Sequence, residues 1–554
     1  MDGPDQLGSP VAVAEDATLA ALLRCCAREL AAVGATGPYL TLRLAGTAIR
    51  ARARGGLALR FTGRPEYRDD RHGWRPLTVE HLVHLIDTAL RGDGGGNDEF
   101  AAQVTAGREA MATLLKARAD ATPPADPWLA SEQALVLGHP FHPTPKARGG
   151  TGWLPYSPEA HATFPLRLLA VREDLLAGDG DTAVLDGLGR PPDGYALLPA
   201  HPWQLDLLRT ELAAPLRDRL LVDLGPSRTP VTPTSSVRTV YDPATGTCLK
   251  FSLDVRITNC VRKNAWYELA GAVALTTHLT PVFDDLAARF PGTRWLPEPG
   301  YRSAALGTRL LEGLGVIVRT GPWSVTSPGV TPVLAGALAA GAMPAACRAR
   351  VVADPLRWWT AYVARVAPPV LDAYFRHRVV LEPHLQNVLV GLDDDGMPAE
   401  VVFRDMEGTK LLPGHPLPEE ISGPLTYSAE QGWNRVVYCL IVNHLVEIAA
   451  TVGETAAQPP PEAELWRAAR RILDDYAAAC GRPARLADLL AGAPVPAKAN
   501  LSVRWARSPD RAAGYVALPN PLAPEGPPPL PARSEPPAPR RAVPRAGTPG
   551  DTTR

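Results

Sequence analysis

The stretch from Lys250 to Asn264, KFSLDVRITNCVRKN, combines cations and hydroxyls with the pattern of a β-strand. Its apolar and polar residues alternate with a period of two, which predicts a half-buried strand. The apolar set is Phe251, Leu253, Val255 and Ile257, and the polar set is Ser252, Asp254, Arg256 and Thr258. Lys250, Arg256 and Thr258 have the same parity and should share one face of that strand. Such a face can bind an anion on a rigid element, and a surface strand with solvated basic residues is the alternative.

A second basic segment, GHPFHPTPKARGG, spans residues 138–150. Its prolines predict a stiff loop that delivers Lys146 and Arg148 to the turn at Gly149–Gly150. Backbone N–H groups of a Gly-rich turn, together with such cations, can bind phosphates. The two histidines of the segment are three residues apart, but no third ligand follows at the spacing of a zinc site. We therefore expect phosphate contacts rather than a metal, with a plain basic surface loop as the alternative.

Two shorter motifs lie between these segments. HPWQ, residues 201–204, predicts a helix start in which His201 caps and Trp203 packs, and a ligand role for this histidine is the alternative. TSSVRTV, residues 234–240, is followed by the turn residues DPATG, which should form a hairpin with the stretch from Lys250. One sheet would then gather the hydroxyls and cations that a multiply charged anion needs: Ser236, Arg238, Lys250, Thr258 and Arg262.

Polar residues interrupt an apolar hairpin later in the chain. They are Glu382, His384, Gln386 and Asn387 in LEPHLQNVLV and Asp405 in FRDMEG. An Asn and an Asp on successive strands, facing a lysine elsewhere, are similar to the magnesium-holding pair of ATP-dependent phosphoryl and nucleotidyl transferases. His384 alone would suit a buried core position, but four polar groups within six residues favour a site. KANLSVRW predicts a late strand whose Lys498 and Arg504 could close over an anionic substrate.

The hydrophobic pattern predicts the elements that must position these residues. We expect a helix capped by Asp16 and ended by Gly34, followed by a meander of three short strands. Further helices are predicted at residues 79–90, 98–119, 203–214, 264–278, 354–375, 434–451 and 461–479. Pro368–Pro369 should kink or split the helix at 354–375. Residues 379–392 and 399–404 should form a hairpin over the turn DDDGM, and the turn-rich residues 121–127 predict a lobe boundary.

Composition excludes several classes of protein. A chain of 554 residues predicts about three lobes, and its formal net charge of −1 argues against nucleic acid or an anionic membrane as the main partner. Seven scattered cysteines without a CxxC pair predict reduced thiols in the cytoplasm. The N-terminus lacks the pattern of a signal peptide, and no run is apolar enough to predict a membrane span. Eleven prolines and no aromatic residue among residues 520–554 predict a disordered tail.

Taken in order, these motifs resemble those of the NRPS-independent siderophore synthetases, the aerobactin-synthase-like family. The ordered set is GHPxHPxxKxR, HPWQ, SSxRT, KxSLxxxITNxxRKN, ExHxQN, RDxxG and KAxLxxR, and it extends from Glu132 to Arg504. Two positions depart from the family pattern. The phosphate loop has a second glycine where an apolar residue is expected, and Arg378 stands where a glycine is usual.

The resemblance implies an α+β fold with antiparallel sheets, shaped as a three-lobed cupped hand. Residues 1–127 would form a thumb, 128–353 fingers and 354–519 a palm with a kinase-like nucleotide fold, before the disordered Pro-rich tail at 520–554. The family uses Mg-ATP to adenylate a carboxylate, usually of citrate or a citrate monoamide, and an amine or hydroxyl then attacks the acyl-adenylate. The resemblance therefore implies ATP and Mg²⁺ as cofactors and small-molecule carboxylate and amine partners, and it leaves a homodimer open.

The motifs of the family also assign roles to individual residues. Lys146, Arg148, Ser236, Arg238, Gln386 and Asn387 would contact ATP, and Glu382 and Asp405 would hold magnesium. Thr258, Arg262, His384, Lys498 and Arg504 would bind the carboxylic substrate, with Lys250, Arg262 and His384 at the reacting centre. No enzyme nucleophile is needed, because fixed cations and alignment supply the catalysis. A kinase-like phosphotransferase and a non-catalytic homologue are the alternatives, and citrate, its monoamide and 2-oxoglutarate all remain open as the acid.

Overall fold

The computed structural model describes residues 8–91, 97–148, 151–257, 260–262, 264–416, 419–508 and 514–526. Thr258 and the turn at residues 149–150 lie outside these residues, as does the side chain of Arg262. The chain mixes helices with sheets that are mainly antiparallel, which fits the predicted α+β class. The predicted lobe bounds at residues 127 and 353 stay predictions.

The N-terminal part packs three helices against a five-stranded meander. Its elements are α1 (Pro10–Glu29), β1 (Ala32–Thr36), β2 (Tyr39–Leu44), β3 (Thr47–Arg54), β4 (Arg60–Asp69), β5 (Gly73–Pro76), α2 (Val79–Leu90) and α3 (Asp98–Ala119). The bounds of α2 and α3 are confirmed, but those of α1 are wrong. Ser9, not Asp16, caps α1 by accepting a hydrogen bond from the N–H of Ala12 (3.3 Å). Gly34 does not end this helix because its backbone pairs with Thr41 in the sheet.

The middle of the chain is built on an eight-stranded antiparallel sheet. Its helices are α4 (Pro127–Glu132), α5 (Pro202–Leu207), α6 (Arg209–Arg217), α7 (Trp266–Arg289) and α8 (Thr308–Gly313). The strands of this middle part, eight of which form the large sheet, are β6 (Phe164–Arg172), β7 (Leu176–Gly180), β8 (Tyr195–Ala200), β9 (Leu221–Pro233), β10 (Thr239–Asp242), β11 (Thr247–Phe251), β12 (Leu253–Ile257), β13 (Cys260–Arg262), β14 (Thr293–Trp295), β15 (Gly300–Ala304) and β16 (Val316–Thr320). The order in the large sheet is β7, β15, β16, β11, β10, β9, β6, β8.

The predicted hairpin of β10 and β11 is confirmed, but the strand predicted from Lys250 onward is divided between two sheets. β12 pairs with β13 in a separate two-stranded sheet. The chain changes direction at Ser252, whose hydroxyl donates to the carbonyl of Glu312 (2.5 Å) and accepts from the N–H of Asn264 (2.8 Å). The prediction that Lys250 and Arg256 lie on one face of one strand is therefore wrong.

The C-terminal part contains long helices around a four-stranded sheet. The remaining strands are β17 (Thr331–Leu334), β18 (Val379–Val380), β19 (Val388–Leu392), β20 (Pro398–Phe403), β21 (Lys410–Leu411), β22 (Val495–Lys498) and β23 (Tyr515–Leu518). The remaining helices are α9 (Ala335–Ala339), α10 (Ala345–Ala353), α11 (Pro355–Phe375), α12 (Glu419–Leu425), α13 (Ala429–Val437), α14 (Val446–Thr455), α15 (Glu462–Ala479), α16 (Ala484–Leu490) and α17 (Asn500–Trp505). The sheet order is β14, β20, β19, β17, which contains the predicted hairpin of β19 and β20.

Two local predictions for this part are wrong, and one is wrong in part. The prolines at 368–369 do not split α11, because its buried face holds the helix together despite the lost backbone donors, and the alternative of a kink stays a prediction. KANLSVRW is not a strand: β22 ends at Lys498, and α17 follows. The Pro-rich tail does not begin at residue 520, because Asn520 and Leu522 are buried and the carboxamide of Asn520 donates to the carbonyl of Leu489 (2.7 Å).

Arg378 adopts the left-handed backbone conformation that normally favours glycine. Its φ is 58°, a region that costs a residue with a side chain about 1–2 kcal/mol. The backbone N–H of Leu412 donates to its carbonyl (2.9 Å), and its guanidinium donates to the carbonyl of Pro413. These contacts explain how this chain holds an arginine where the family pattern has a glycine.

A continuous helix from Ala429 to Thr455 crosses the C-terminal part. It consists of α13, a π-helix at Tyr438–Leu445, and α14. By length and composition alone it could span a membrane, with a mean hydropathy of 1.7, but 89% of that window is buried inside the protein. It belongs to the largest hydrophobic core, together with parts of α7, α11 and α15. Its apolar residues are therefore those of a core helix.

Candidate active site

A large cavity collects most of the residues that the sequence singles out. Its volume is about 1980 Å³, above the usual size of a pocket for one small ligand, and Lys and Arg outnumber Asp and Glu in its lining. The predicted residues in the lining are Lys146, Arg148, Ser236, Arg238, Lys250, Glu382, His384, Gln386, Asn387, Asp405 and Lys498. Arg504 is buried in α17 and is not among these lining residues, and its contact with the substrate stays a prediction.

Lys250 is the centre of a charge network in the cavity wall. Its side chain is 1% exposed, and its Nζ lies 2.8 Å from Oδ1 of Asp405, 2.7 Å from Oε2 of Glu407 and 3.6 Å from Oε1 of Glu298. Arg319 pairs with Glu298 and lies 2.8 Å from the same Asp405 oxygen. β11 and β16 are neighbours in the large sheet, and their register places the lysine and this arginine on one face. The sheet therefore fixes two cations side by side.

Asp405 and Glu407 stay ionised although they are partly buried in the cavity wall. Burial would raise the pKa of Asp405, but Lys250 and Arg319 outweigh it and hold that pKa well below its usual range. Burial would also raise the pKa of Glu407, but Lys250 and Arg238 outweigh this effect and lower that pKa to about 2. Asp405 has a left-handed backbone (φ 66°) at the start of the 3₁₀ turn Met406–Gly408. This turn directs both carboxylates to one lysine.

We expect acid to weaken this network. The pKa of Glu407 is lower in the folded protein than in the unfolded chain. Its contribution to stability is therefore complete above the unfolded pKa and is lost as the pH falls toward about 2. The difference in Tm between the wild type and Glu407→Gln should therefore shrink between pH 6 and pH 3, measured by thermal melting. The exposed Glu173→Gln variant serves as control and should follow the wild type. A difference that stays constant across this pH range would contradict the assignment.

Arg238 extends the network along the cavity. Its Nη2 lies 2.8 Å from Oε2 of Glu407, and its Nη1 donates to the side-chain oxygen of Asn264. Ser236 accepts a hydrogen bond from the N–H of Thr239 (3.1 Å), which shapes the turn before β10. Both predicted residues of this segment therefore lie at the cavity, and the arginine is held by a carboxylate of the protein itself.

Lys146 and Arg148 form a second group of charges around a buried carboxylate. Glu159 is 3% exposed, accepts a hydrogen bond from Lys146, and lies 3.1 and 3.3 Å from Nη2 of Arg148. Burial lowers the pKa of Lys146 despite this partner. Burial would raise the pKa of Glu159, but the two cations together lower it. The group as a whole therefore presents one positive charge to the cavity.

Removal of the central carboxylate should destabilise the fold. Glu159→Gln leaves two cations in a buried site without their partner, which typically costs about 3–5 kcal/mol. The free energy of unfolding in urea should fall by that amount. Glu211→Gln is the matched control, because Glu211 pairs with Arg309 (3.1 Å) at the surface, and such a pair is worth about 0–1 kcal/mol. Equal effects of the two variants would contradict the structural role of Glu159.

The loop before β19 presents neutral donors and a paired carboxylate. Nδ1 of His384 accepts the N–H of Gln386 (3.3 Å), so a neutral ring carries its proton on Nε2. Burial lowers the pKa of His384, which favours this neutral ring near pH 7. Asn387 lies in the cavity lining next to it. Oε1 of Glu382 lies 2.6 Å from the guanidinium of Arg435, so this carboxylate already has a cationic partner.

Three histidines that precede prolines have a structural role. Each accepts, through Nδ1, the N–H of the residue two positions on: His139 from Phe141 (3.0 Å), His142 from Thr144 (3.1 Å) and His201 from Trp203 (3.2 Å). The predicted cap by His201 is confirmed, and Trp203 is buried as expected. One nitrogen of each ring is thus occupied by the backbone, which gives the His-Pro pattern a role in shaping these turns.

Two known families match the chain in successive segments. The sequence model of the IucA / IucC family matches residues 127–340, and that of the ferric iron reductase FhuF-like transporter matches residues 356–513. An L-2,3-diaminopropanoate–citrate ligase of Staphylococcus aureus is 31% identical over 442 residues, which cover 72% of this chain and 75% of that ligase. The chain belongs to the IucA/IucC family. The resemblance to siderophore synthetases is thereby confirmed.

Further relatives and solved structures agree with this membership. The rhizobactin siderophore biosynthesis protein RhbC of Rhizobium meliloti is 29% identical, with 71% of this chain and 75% of that protein covered. The ATP-bound aerobactin synthetase IucA of Klebsiella pneumoniae superposes with a TM-score of 0.78 at 23% identity, covering 92% of this chain and all of that one. Aerobactin synthetase IucC from the same species gives 0.75 at 20% identity, with 93% and 98% covered. These structures show that the IucA/IucC chain has the fold of aerobactin synthetases.

The structure adds charged residues that the motifs of this IucA/IucC protein did not reveal, four of which pair directly with predicted site residues. They are Glu159, Glu298, Arg319 and Glu407. Glu407 lies inside the motif FRDMEG, and a search for carboxylates that balance Lys250 could have found it. Arg319 is the fourth residue of β16 and follows three apolar residues, and its charge in that strand was the available signal. No local pattern marks the other two, because their partners lie beyond the range of one turn or hairpin: Glu159 is 13 residues from Lys146, and Glu298 is 21 residues from Arg319.

Proposed function

We propose that this IucA/IucC protein is an ATP-dependent ligase of siderophore biosynthesis. It adenylates a carboxylate, with citrate as the first candidate, and joins the acyl group to an amine or a hydroxyl, releasing AMP and pyrophosphate. The observation that carries the proposal is the network of Lys250, Arg319 and Arg238 in a cavity large enough for two polar reactants. Relatives named as citrate ligases support the choice of acid.

The charge network suits a reaction between two anions. A carboxylate oxygen forms a bond to the α-phosphorus of ATP while the bond from that phosphorus to the bridging oxygen of pyrophosphate breaks. Fixed cations are required because like charges would otherwise hold ATP and the acid apart, and they also stabilise the charge that develops on pyrophosphate. Lys250, Arg319 and Arg238 supply these cations, and the neutral Nε2–H of His384 can donate to the acid.

The second step transfers the acyl group. The nitrogen of the amine forms a bond to the acyl carbon, the bond from that carbon to the oxygen of AMP breaks, and the amine loses a proton to water. No covalent bond to the protein is needed. The six cysteines whose side chains are described are free thiols, all but Cys480 buried. This chemistry and the reduced thiols suit the cytoplasm, and the partners in this proposal are small molecules.

Asp405 and Glu407 fit a magnesium ion better than the predicted pair Glu382 and Asp405. Both are ionised, and 35% and 25% of their side chains remain exposed to the cavity. Carboxylate oxygens are the protein ligands that Mg²⁺ prefers, and the ion would neutralise charge on the leaving pyrophosphate. Glu382 is only 10% exposed, so it offers less of its carboxylate to an ion, and we assign it to the cavity wall.

Pyrophosphate release tests the proposal directly. The purified protein is incubated with Mg-ATP and citrate, a citrate monoamide or 2-oxoglutarate, each with and without a panel of diamines and hydroxylated amines. We expect pyrophosphate and AMP with one of these acids and an amide product by mass spectrometry. Release of ADP and phosphate would instead indicate a kinase-like phosphotransferase. Binding of ATP without release of pyrophosphate with any acid would overturn the ligase assignment in favour of a non-catalytic homologue.

A further inference from the structure

The helix at residues 429–455 turns a line of polar residues to the cavity although most of its surface is buried. Arg435, Asn443, Glu447 and Thr451 all belong to the cavity lining and are separated by multiples of four residues. The π-helix at Tyr438–Leu445 has more residues per turn than an α-helix, which helps to keep this spacing on one side. Asn443 lies in that π-helix. None of the sequence motifs includes it.

A hydrogen bond from His139 fixes the orientation of the Asn443 carboxamide. Nε2 of His139 and Oδ1 of Asn443 are 3.1 Å apart, and Nδ1 of the same ring accepts the N–H of Phe141 (3.0 Å). Burial lowers the pKa of His139 to about 3, so the ring is neutral at pH 7. A neutral ring that accepts through Nδ1 must carry its proton on Nε2. That proton is donated to Asn443, which therefore presents its oxygen to the histidine.

The other end of this carboxamide is a donor that faces the cavity. Nδ2 of Asn443 has no hydrogen-bond partner among the described residues, and it is not sealed in the protein interior. A half-buried amide donor that water can reach, held in one orientation by a neighbouring ring, is arranged to bind an acceptor oxygen. The helix and the loop at residues 139–141 thus build this donor together.

The position of His384 indicates which reactant would bind to this donor. His139 and His384 both line the cavity, and Nδ1 of His444, the residue after Asn443, lies 2.7 Å from the carbonyl oxygen of Pro383, the residue before His384. The rings of His139 and His384 each accept a backbone N–H through Nδ1, and each therefore directs an N–H from Nε2 away from its own turn. The result is two neutral donors, Nε2–H of His384 and Nδ2–H of Asn443, on one stretch of wall. Neutral donors in a fixed array suit the carboxylates and hydroxyl of a small polycarboxylic acid.

We propose that Asn443 is a substrate-binding residue that donates a hydrogen bond from Nδ2 to an oxygen of the carboxylic substrate. His139 is its positioning residue, and acts through the hydrogen bond from Nε2 to Oδ1 of Asn443. This inference rests on the proposed function and adds to it a determinant of the acid specificity. It predicts that the acid, and not ATP, is affected when the donor is removed.

Asn443→Asp is the most direct test. The aspartate keeps an oxygen for His139 in nearly the same shape but replaces the outward donor by a second acceptor. Loss of one such bond to a carboxylate should raise the KM for citrate about 10- to 100-fold, while the KM for ATP changes by less than about threefold. Asn443→Ala should give a rise of similar size. If this alanine variant does not fold, the nearly isosteric aspartate variant carries the test alone. An unchanged KM for citrate in Asn443→Asp would overturn the inference.

Two variants of His139 separate positioning from folding. In His139→Gln the side-chain amide nitrogen can replace Nε2 as the donor to Asn443. In His139→Asn the side-chain oxygen can replace Nδ1 as the acceptor for Phe141, but the donor is lost. We expect a KM for citrate close to that of the wild type with glutamine and a rise like that of Asn443→Ala with asparagine. The reverse order, or equal values, would overturn the positioning role.

The wild type separates failure of this inference from failure of the proposed function. Pyrophosphate release that depends on citrate supports the function, and the variants then test Asn443 alone. If the active acid is another of the panel, the same KM comparison is made with that acid. A wild type that releases no pyrophosphate with any acid overturns both. Thermal melting of all four variants verifies that each one is folded.

Discussion

Lys250→Ala should lower the rate of pyrophosphate release by about a thousandfold, because it removes a fixed cation from the place where charge develops. The same substitution should also destabilise the protein. Lys250 is enclosed by Asp405, Glu407 and Glu298, and carboxylates left without their buried cation typically cost about 3–5 kcal/mol. The motif alone would predict an inactive variant with its fold intact, whereas the structure predicts a loss of stability as well.

Single-turnover release of pyrophosphate and urea denaturation measure the two effects separately. Lys250→Arg keeps the positive charge and should retain most of the stability while it loses activity, because the longer guanidinium displaces the centre of charge. The exposed Lys116→Ala is the matched control and should change neither quantity. Normal turnover in Lys250→Ala would show that the reaction centre lies elsewhere in the cavity.

Glu407→Gln should raise the Mg²⁺ concentration needed for half-maximal activity and lower kcat by about 100-fold or more. Its carboxylate and that of Asp405 both meet Nζ of Lys250, so the substitution removes one of two charges from the proposed ion site. Glu382→Gln is the matched comparison, since it is the ligand that the motif implied. It should reduce stability by freeing Arg435 but leave the Mg²⁺ dependence unchanged.

A titration of activity with Mg²⁺ at fixed ATP distinguishes the two carboxylates. The assignment to Glu407 requires a larger shift in the titration midpoint for Glu407→Gln than for Glu382→Gln. The opposite ranking would restore the assignment that the motif implied. Thermal melting without Mg²⁺ provides the control for unfolding.

Local signals in the sequence predicted the parts of the site that lie on one hairpin or one loop. The turn DPATG led to the pairing of β10 with β11, and polar residues in the loop at 382–387 led to the cavity wall. Glu159 and Glu298 were not predicted because each contacts its cation only in the folded protein. Glu298 is 48 positions from Lys250, and nothing near either residue specifies that contact.

The errors in the fold have a similar origin. Two N-cap signals compete near the N-terminus, and Ser9 followed by Pro10 determines the helix start, whereas Asp16 lies within the helix. At Ser252 the alternating pattern continues while the sheet does not, because the hydroxyl bonds to Glu312 and Asn264 instead. Periodicity reports which side chains are apolar, and it does not report which strand will be the neighbour.

The π-helix at Tyr438–Leu445 makes this long helix tolerant of a change in its own length. Loss of one residue from this segment would let it relax to an α-helix, with no break in the backbone hydrogen bonds. The wider π turns hold about one residue more than α turns over the same rotation, so α14 would keep its orientation relative to α13. Glu447 and Thr451 would still face the cavity. A deletion of a single codon in a regular α-helix turns everything that follows by about 100°, whereas here the wall of the cavity would be preserved.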